Sequence, residues 1–185
     1  MRPTTRRART GPILAAAAFA GLLLGGCAKA STEPTTVPGL AARTVAVGTD
    51  HACAITDAAG VVCWGANRFG QLGDGSNRAR PEPAPVTGLT DIVAVDAGGE
   101  LSCAVARSGM VGCWGYNFDG QAGDGTSENA RFQPVPVQGV SGASSVAVGD
   151  EHACALAGGR VWCWGSNVVG QLGREGGGRS STARP

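Results

Sequence analysis

The sequence predicts an all-β protein, a partial β-propeller of about three four-stranded antiparallel blades. Two observations carry that expectation. One motif is written three times in a single frame: "VCWGANRFGQLGDG" from Val62, "GCWGYNFDGQAGDG" from Gly112 and "WCWGSNVVGQLGRE" from Trp162, at intervals of 50 residues. Self-similarity at a fixed period marks a repeat architecture. Each copy also sits in the same order of four short extended segments separated by turn residues, which is the pattern of a propeller blade. Composition agrees, since 31 glycines in 185 residues with 5% aromatics suit short strands and tight turns better than long helices.

The N-terminus reads as a targeting segment and is set aside before the fold is considered. Arg2, Arg6, Arg7 and Arg9 form a basic region, followed by the apolar run "ILAAAAFAGLLL" from Ile13 to Leu24. That run is too short to cross a bilayer as a helix. It leads into "LGGC", Leu24 to Cys27, which resembles the lipobox of bacterial lipoproteins. The resemblance implies cleavage before Cys27 and acylation of that cysteine by palmitate-type chains. An ordinary cleaved signal peptide with an incidental cysteine is the alternative. Arg6-Arg7 lacks the residues that follow a twin-arginine signal, so general secretion is expected. The expected organisation is a lipoprotein signal peptide at 1–26, a flexible tether at 27–43, and three repeats at about 44–90, 91–140 and 141–185. The tether is small, polar and Pro-containing, without a period of 2 or 3.6.

Each repeat has one grammar. An alternating run comes first ("TVAVG" at Thr44, "DIVAVDAG" at Asp91, "SVAVGDEH" at Ser145), then a short strand with a cysteine ("HACAI", "LSCAV", "HACAL"). A tight turn leads to a second cysteine beside a tryptophan, then a Gly- and Asn-rich loop and a Pro-flanked extended piece, "PEPAPV" at Pro81 and "FQPVPV" at Phe132.

Charge excludes one class of function. Without residues 1–26 the chain keeps 11 basic residues against 14 acidic ones, a formal charge of about −3, and its one lysine is Lys29. No basic stripe is present to neutralise phosphates, so no nucleic-acid partner is expected.

Seven cysteines less Cys27 leave six, falling as Cys53/Cys63, Cys103/Cys113 and Cys154/Cys163. A two-residue turn at Gly158-Gly159 pairs Ala157 with Arg160 and sets Cys154 opposite Cys163. Pairing Ile55 with Val61 sets Cys53 opposite Cys63 across a longer turn. Directly opposed strand residues lie roughly 4.5–5.5 Å apart at Cα, within disulfide range. Export to an oxidising compartment permits such bonds, each closing a loop of about ten residues and worth roughly 2–3 kcal/mol. Free thiols are one alternative. Metal binding by His51 or His152 with the neighbouring cysteines is the other, but it offers at most three ligands. The second repeat has Leu101 in place of the histidine, and the closely spaced C-x₂₋₄-C pair of zinc sites is missing. No metal and no cofactor is expected.

The pattern G-x-x-H-x-C-A, then V-x-C-W-G-x-N-x-x-G-Q-L-G-D-G, then R-x-x-P-x-x-V, resembles the repeat of the regulator of chromosome condensation family. It is most similar to the cysteine-containing version of secreted bacterial proteins. The resemblance runs from Thr44 to Pro185 and implies a propeller, usually seven-bladed. Trp64, Trp114 and Trp164 lie on the strand face opposite the neighbouring cysteine and are expected to fill the gaps between blades. Two departures stand out. The third repeat has "GREGGG" from Gly173 where Asp-Gly is expected, and the chain ends at "ARP", aligned with "ARP" at Ala79 to Pro81, where a next strand would begin. The expectation is a truncated frame or a fragment, or else open edges that pair with other copies.

The family includes an exchange factor for a small nuclear GTPase and a secreted bacterial inhibitor of β-lactamases. Exchange activity does not suit an exported, lipid-anchored chain and is not carried over. The expected function is a non-catalytic protein-binding module, anchored in the cell envelope through lipid at Cys27, at the outer membrane or cell surface. Its partner is an envelope or extracellular protein. Within the fixed N-x-x-G-Q frame the central pairs differ: Arg68-Phe69, Phe118-Asp119 and Val168-Val169. A constant scaffold with variable, partly aromatic loop residues is how repeat proteins build recognition surfaces. The alternatives are an adhesive or structural element that self-associates through blade edges, and a wall or polysaccharide hydrolase. The last has little to work with: two histidines about a hundred residues apart, and Asp50, Asp150 and Glu151 at repeat-equivalent turns.

Overall fold

The computed structural model describes residues 36–185, so the expected signal peptide, Cys27 and most of the tether lie outside the described residues. Blade 1 comprises β1 (Ala42–Val47), β2 (His51–Thr56), β3 (Val61–Gly65) and β4 (Arg80–Pro85). Blade 2 comprises β5 (Ile92–Gly98), β6 (Leu101–Ala106), β7 (Val111–Gly115) and β8 (Arg131–Pro136). Blade 3 comprises β9 (Ala143–Val148), β10 (His152–Ala157), β11 (Arg160–Ser166) and β12 (Arg179–Arg184). Each blade is a four-stranded antiparallel meander in chain order, and no helix occurs among the described residues.

The hairpins have the register that turn chemistry predicts. Ala157 pairs with Arg160 and Leu156 with Val161 across Gly158 and Gly159, whose φ values of 57° and 73° make the left-handed turn. Cys53 pairs with Cys63, Cys103 with Cys113 and Cys154 with Cys163, and all three pairs are disulfides with Cα atoms 4.1 Å apart. That separation is slightly shorter than the roughly 4.5 Å of the narrow class of opposed strand pairs.

The core lies between blades rather than within one. Ile55, Val61 and Leu72 of blade 1 pack with Ile92, Val95 and Trp114 of blade 2. Val105, Val111 and Ala122 of blade 2 pack with Ala153, Ala155 and Trp164 of blade 3. Each such aliphatic side chain removed from water stabilises the junction by roughly 1.5–3 kcal/mol. The outer strands β4 and β8 are the exposed edges, and Pro81, Pro83 and Pro85 on one and Pro134 and Pro136 on the other remove donors there. Proline is tolerated at an edge and blunts it against further pairing.

At the end of each third strand the ladder to the fourth shifts register, between Cys63/Gly65, Cys113/Gly115 and Cys163/Gly165. Glycine is obligatory there. Gly115 has φ 113°, and a Cβ on it would stand 2.2 Å from the carbonyl oxygen of Glu100.

Two expectations are corrected. β1 begins at Ala42, so it takes in two residues assigned to the tether, with Arg43 Nη2 donating to the Thr56 carbonyl at 3.3 Å. The "ARP" at Ala183 to Pro185 does not mark the start of a missing strand. Ser180 pairs with Gly165 as Arg80 pairs with Gly65, and Arg184 pairs with Cys163, so Arg179–Arg184 is itself the fourth strand of blade 3 and the tripeptide lies at its end, not its start. Backbone pairing is set by distance from the glycine at the bulge, and the likeness of the two tripeptides has no bearing on it.

Candidate functional site, an aromatic patch on the loop face

The loop after each third strand is held by the same two side chains. Asn67, Asn117 and Asn167 accept, at Oδ1, the backbone N–H of Leu72, Ala122 and Leu172 at 3.0, 2.9 and 3.0 Å. Gln71, Gln121 and Gln171 accept, at Oε1, the N–H of Phe69, Asp119 and Val169 at 3.0, 2.8 and 3.0 Å. The variable pair therefore stands on a frame held by the side-chain oxygens of the Asn and Gln residues, and no hydrogen bond from its own side chains holds the loop.

In blades 1 and 2 the loop is locked further by the Asp-Gly turn. Asp74 Oδ1 accepts from Ser76 N at 2.9 Å and Ser76 Oγ at 2.8 Å, and Asp74 Oδ2 pairs with Arg80 Nε at 2.6 Å. Burial pushes the Asp74 carboxyl up, but the bonds from Ser76, Arg80 and Asn67 outweigh it and lower its pKa to about 2. Asp124 repeats the arrangement with Thr126 and Arg131. Blade 3 has Arg174 at this place, and its Asn167 Nδ2 donates instead to the carbonyls of Arg174 and Gly176. Neighbouring blades brace the loops: Gly75 N donates to Phe132 O at 2.9 Å and Gly125 N to Ser181 O at 2.8 Å.

On this frame three aromatic rings meet across the junction of blades 1 and 2. Phe69 and Tyr116 are edge to face with centroids 5.1 Å apart, and Tyr116 and Phe118 are 5.0 Å apart. The Arg68 guanidinium lies 5.2 Å from the Phe69 centroid. Arg179 of blade 3 donates to the Phe118 carbonyl at 2.6 Å. Burial first, then the carboxylates of Asp119, Glu100 and Glu151, hold the Tyr116 hydroxyl in its neutral form by raising its pKa. Arg68 and Phe118 are exposed and Phe69, Tyr116 and Asp119 half-buried, so the patch is anchored from beneath and open above.

Of the residues singled out in the sequence, the structure gathers Arg68, Phe69, Phe118 and Asp119 around this patch. Val168 and Val169 stand fully exposed on the blade 3 loop, away from any ring contact. Tyr116, the ring that joins the other two, was not foreseen. Its signal was the variable position directly after C-W-G, occupied by Ala66, Tyr116 and Ser166.

The tryptophans divide. Trp114 and Trp164 are wholly buried at blade junctions, donating Nε1–H to the carbonyls of Gln71 and Gln121. Trp64 is half-buried, because the described residues supply no blade on its side. The inter-blade role expected for it is thus not realised within this structure.

His51 has a neighbour reminiscent of catalytic serine–histidine pairs, Ser102 Oγ at 2.7 Å from Nε2. The Ser102 hydroxyl, however, faces the Gln71 carbonyl at 3.1 Å and donates there, so its oxygen accepts the His51 Nε2–H. Both side chains are buried. Burial, partly offset by the Asp50 carboxylate, lowers the His51 pKa to about 4.

The profile described as "Regulator of chromosome condensation (RCC1) repeat" matches residues 60–105 and 108–156, and a second profile of that description matches 42–71 and 143–171. No curated protein matches the chain. Among solved structures, the crystal structure of Kap60 bound to yeast RCC1 (Prp20) is similar with TM-score 0.67 and 23% identity, over 76% of this chain and 36% of that one. Human WBSCR16 is similar with TM-score 0.70 and 24% identity, over 79% of this chain and 38% of that one. Prp20p from Saccharomyces cerevisiae is similar with TM-score 0.65 and 23% identity, over 77% and 37%. The chain thus spans little more than a third of the length of these structures, and at such identity the likeness is one of fold. With the profile matches covering most of the blades, the chain belongs to the regulator of chromosome condensation (RCC1) repeat family, as a β-propeller protein.

Proposed function

We propose that the chain is a non-catalytic protein-binding module, held at the bacterial cell envelope by lipid on Cys27, and that its partner docks on the Arg68–Phe69–Tyr116–Phe118 patch. The observation that carries this reading is the set of three aromatic rings joined through Tyr116, with Phe118 exposed and Phe69 and Tyr116 half-buried, on a loop frame held by other side chains. Aromatic and arginine side chains on rigid supports are the usual energetic centre of a protein interface. The coarser reading is supported by the structural neighbours, one of which is seen bound to Kap60 and another described with its binding to Gsp1p and histones. The burial of both His51 and Ser102, away from any site a substrate could reach, supports the non-catalytic part.

The experiment is affinity capture from solubilised envelopes with the wild-type chain and with a variant carrying Arg68→Ala, Phe69→Ala and Phe118→Ala together. A protein retained by the first and lost from the second is the expected result. Equal retention by a variant with an unchanged circular dichroism spectrum would refute the patch. The anchor is tested separately: Cys27→Ala should move the chain from the membrane to the soluble fraction.

A further inference from the structure

Two equivalent places, one at each blade junction, differ by one large side chain. Gly112 pairs with Ala104 in blade 2 as Trp162 pairs with Ala155 in blade 3. The Trp162 indole packs, with Val140, against the core between blades 2 and 3. Where the indole is missing, the junction of blades 1 and 2 has a groove of about 770 Å³, walled by Leu89, Ile92, Ala106, Met110 and Pro134. Both blades of this junction are present with all four strands.

The lining suits an aromatic ring. Met110 is 61% exposed, and a thioether makes favourable contacts with ring edges. Arg107 lines the same groove, is exposed, and makes no ion pair among the described residues, so its guanidinium is available to stack on a ring face. Its backbone N–H donates to the Asp91 carbonyl at 2.8 Å, which sets the two residues side by side. Asp91 has φ 53° where the third repeat has Gly142 at φ 68°. Aspartate is among the few residues that visit this left-handed backbone, so a carboxyl group stands where the filled junction has no side chain. The difference matters to an indole. Trp162 Nε1 is buried with no hydrogen-bond partner among the described residues, whereas the open groove has Asp91 in its wall as an acceptor.

We propose that this groove is a second docking site, and that its occupant is a tryptophan side chain carried on an extended segment of a partner protein. The indole takes the place that Trp162 fills at the next junction, with its face toward Arg107 and its N–H toward Asp91. A groove of this volume holds a drug-sized ligand, so the neighbouring backbone fits beside the ring. The tether expected at 27–43 has no aromatic residue and does not supply the ring. The groove and the aromatic patch share no residue and flank opposite ends of β7, with Met110 before Val111 and Tyr116 after Gly115. The two sites therefore stand or fall separately.

The methionines of the chain are Met1 and Met110, so an isotope label on the methionine methyl reports on the groove by NMR. The intact chain in detergent is titrated with N-acetyl-tryptophanamide, and with N-acetyl-leucinamide as the aliphatic control. The expected result is a saturable upfield shift of the Met110 methyl with the first probe alone, since a ring against the thioether shields its methyl. Gly112→Trp supplies the ring from within, as Trp162 does, so its Met110 methyl starts upfield and no longer responds. Arg107→Ala, at an exposed position, leaves the free spectrum unchanged and weakens binding roughly two- to fivefold, the range for an exposed cation–π contact. It carries the comparison should Gly112→Trp not fold. The absence of a saturable shift in the wild type overturns the proposal, as does an equal response to the leucine probe or a response unaltered in both variants. Saturation by free indole with none by the amide also overturns it, since the groove would then take a small molecule and not a side chain on a peptide.

Discussion

Trp114 donates its indole N–H to the carbonyl of Gln71, 2.9 Å away and in the preceding blade. That carbonyl also accepts the Ser102 hydroxyl at 3.1 Å, which in turn accepts from His51. One backbone oxygen thus ties the loop of blade 1, the second strand of blade 2 and the signature tryptophan into a single buried knot. Trp114→Ala should cost about 3–5 kcal/mol, the range for removing a large buried aromatic. Trp64→Ala, at a half-buried position, should cost under about 1 kcal/mol. Urea unfolding of the two variants checks the contrast, and equal losses would mean that the repeat position, rather than burial, sets the value.

The same knot predicts a pH dependence. His51 has a folded-state pKa of about 4 against an ordinary value of 6.5. Above pH 6.5 the imidazole is neutral in both states and folding bears no penalty. As pH falls from 6.5 toward 4, the unfolded chain takes up a proton that the folded chain refuses, so stability is lost across that window, by up to about 3 kcal/mol. His51→Gln keeps a donor for Ser102 and has no such titration. Stability measured from pH 7 to 4 should therefore fall less steeply for the variant; parallel curves would show that other groups govern the acid limb.

The parts of the fold legible in the sequence were those fixed by local chemistry. Gly158-Gly159 dictates its own turn and so the register of Cys154 against Cys163, and the alternation around Cys53 and Cys103 does the same over longer turns. What misled was likeness without spacing. "ARP" at Ala183 copies "ARP" at Ala79, yet strand pairing counts residues from the bulge, so Gly165 reaches Ser180 just as Gly65 reaches Arg80. The site was half legible. Variable positions inside a fixed frame pointed to Phe69 and Phe118, but that Tyr116 bridges them depends on the angle between two blades, which no local pattern encodes.

The three disulfides should differ in how readily they are reduced. Cys53, Cys63, Cys103 and Cys113 have no exposed surface, since a following blade covers each pair, while Cys154 is only half-buried on the open face of blade 3. Thiol–disulfide exchange needs access of a thiolate to a sulfur. Graded reductant followed by alkylation and mass mapping should label Cys154 and Cys163 first, and the other four together with unfolding. Loss of the inner pairs should destabilise by roughly 2–3 kcal/mol each.

Gly112 is a glycine that the backbone does not require. It lies in β7 opposite Ala104, outside the left-handed region, and a Cβ on it would meet nothing nearer than Pro134 Cβ at 3.7 Å. Its counterparts are Val62 and Trp162, and Trp162 packs against the core between blades 2 and 3. Beside Gly112 the corresponding space between blades 1 and 2 is a groove of about 770 Å³, lined by Leu89, Ile92, Ala106, Met110 and Pro134. Gly112→Val should therefore stabilise the chain by roughly 0.5–1 kcal/mol, through lower backbone entropy in the unfolded state and a side chain suited to a strand. Gly109 is the counter-case on the same hairpin: with φ +82° and a Cβ position 2.5 Å from Gly142 Cα, Gly109→Val should destabilise by more than that gain. Thermal unfolding of the two variants beside the wild type decides it, a raised midpoint for the first and a lowered one for the second being the expected pair. A lowered midpoint for Gly112→Val would mean that the groove closes on its own lining and has no room for two methyl groups.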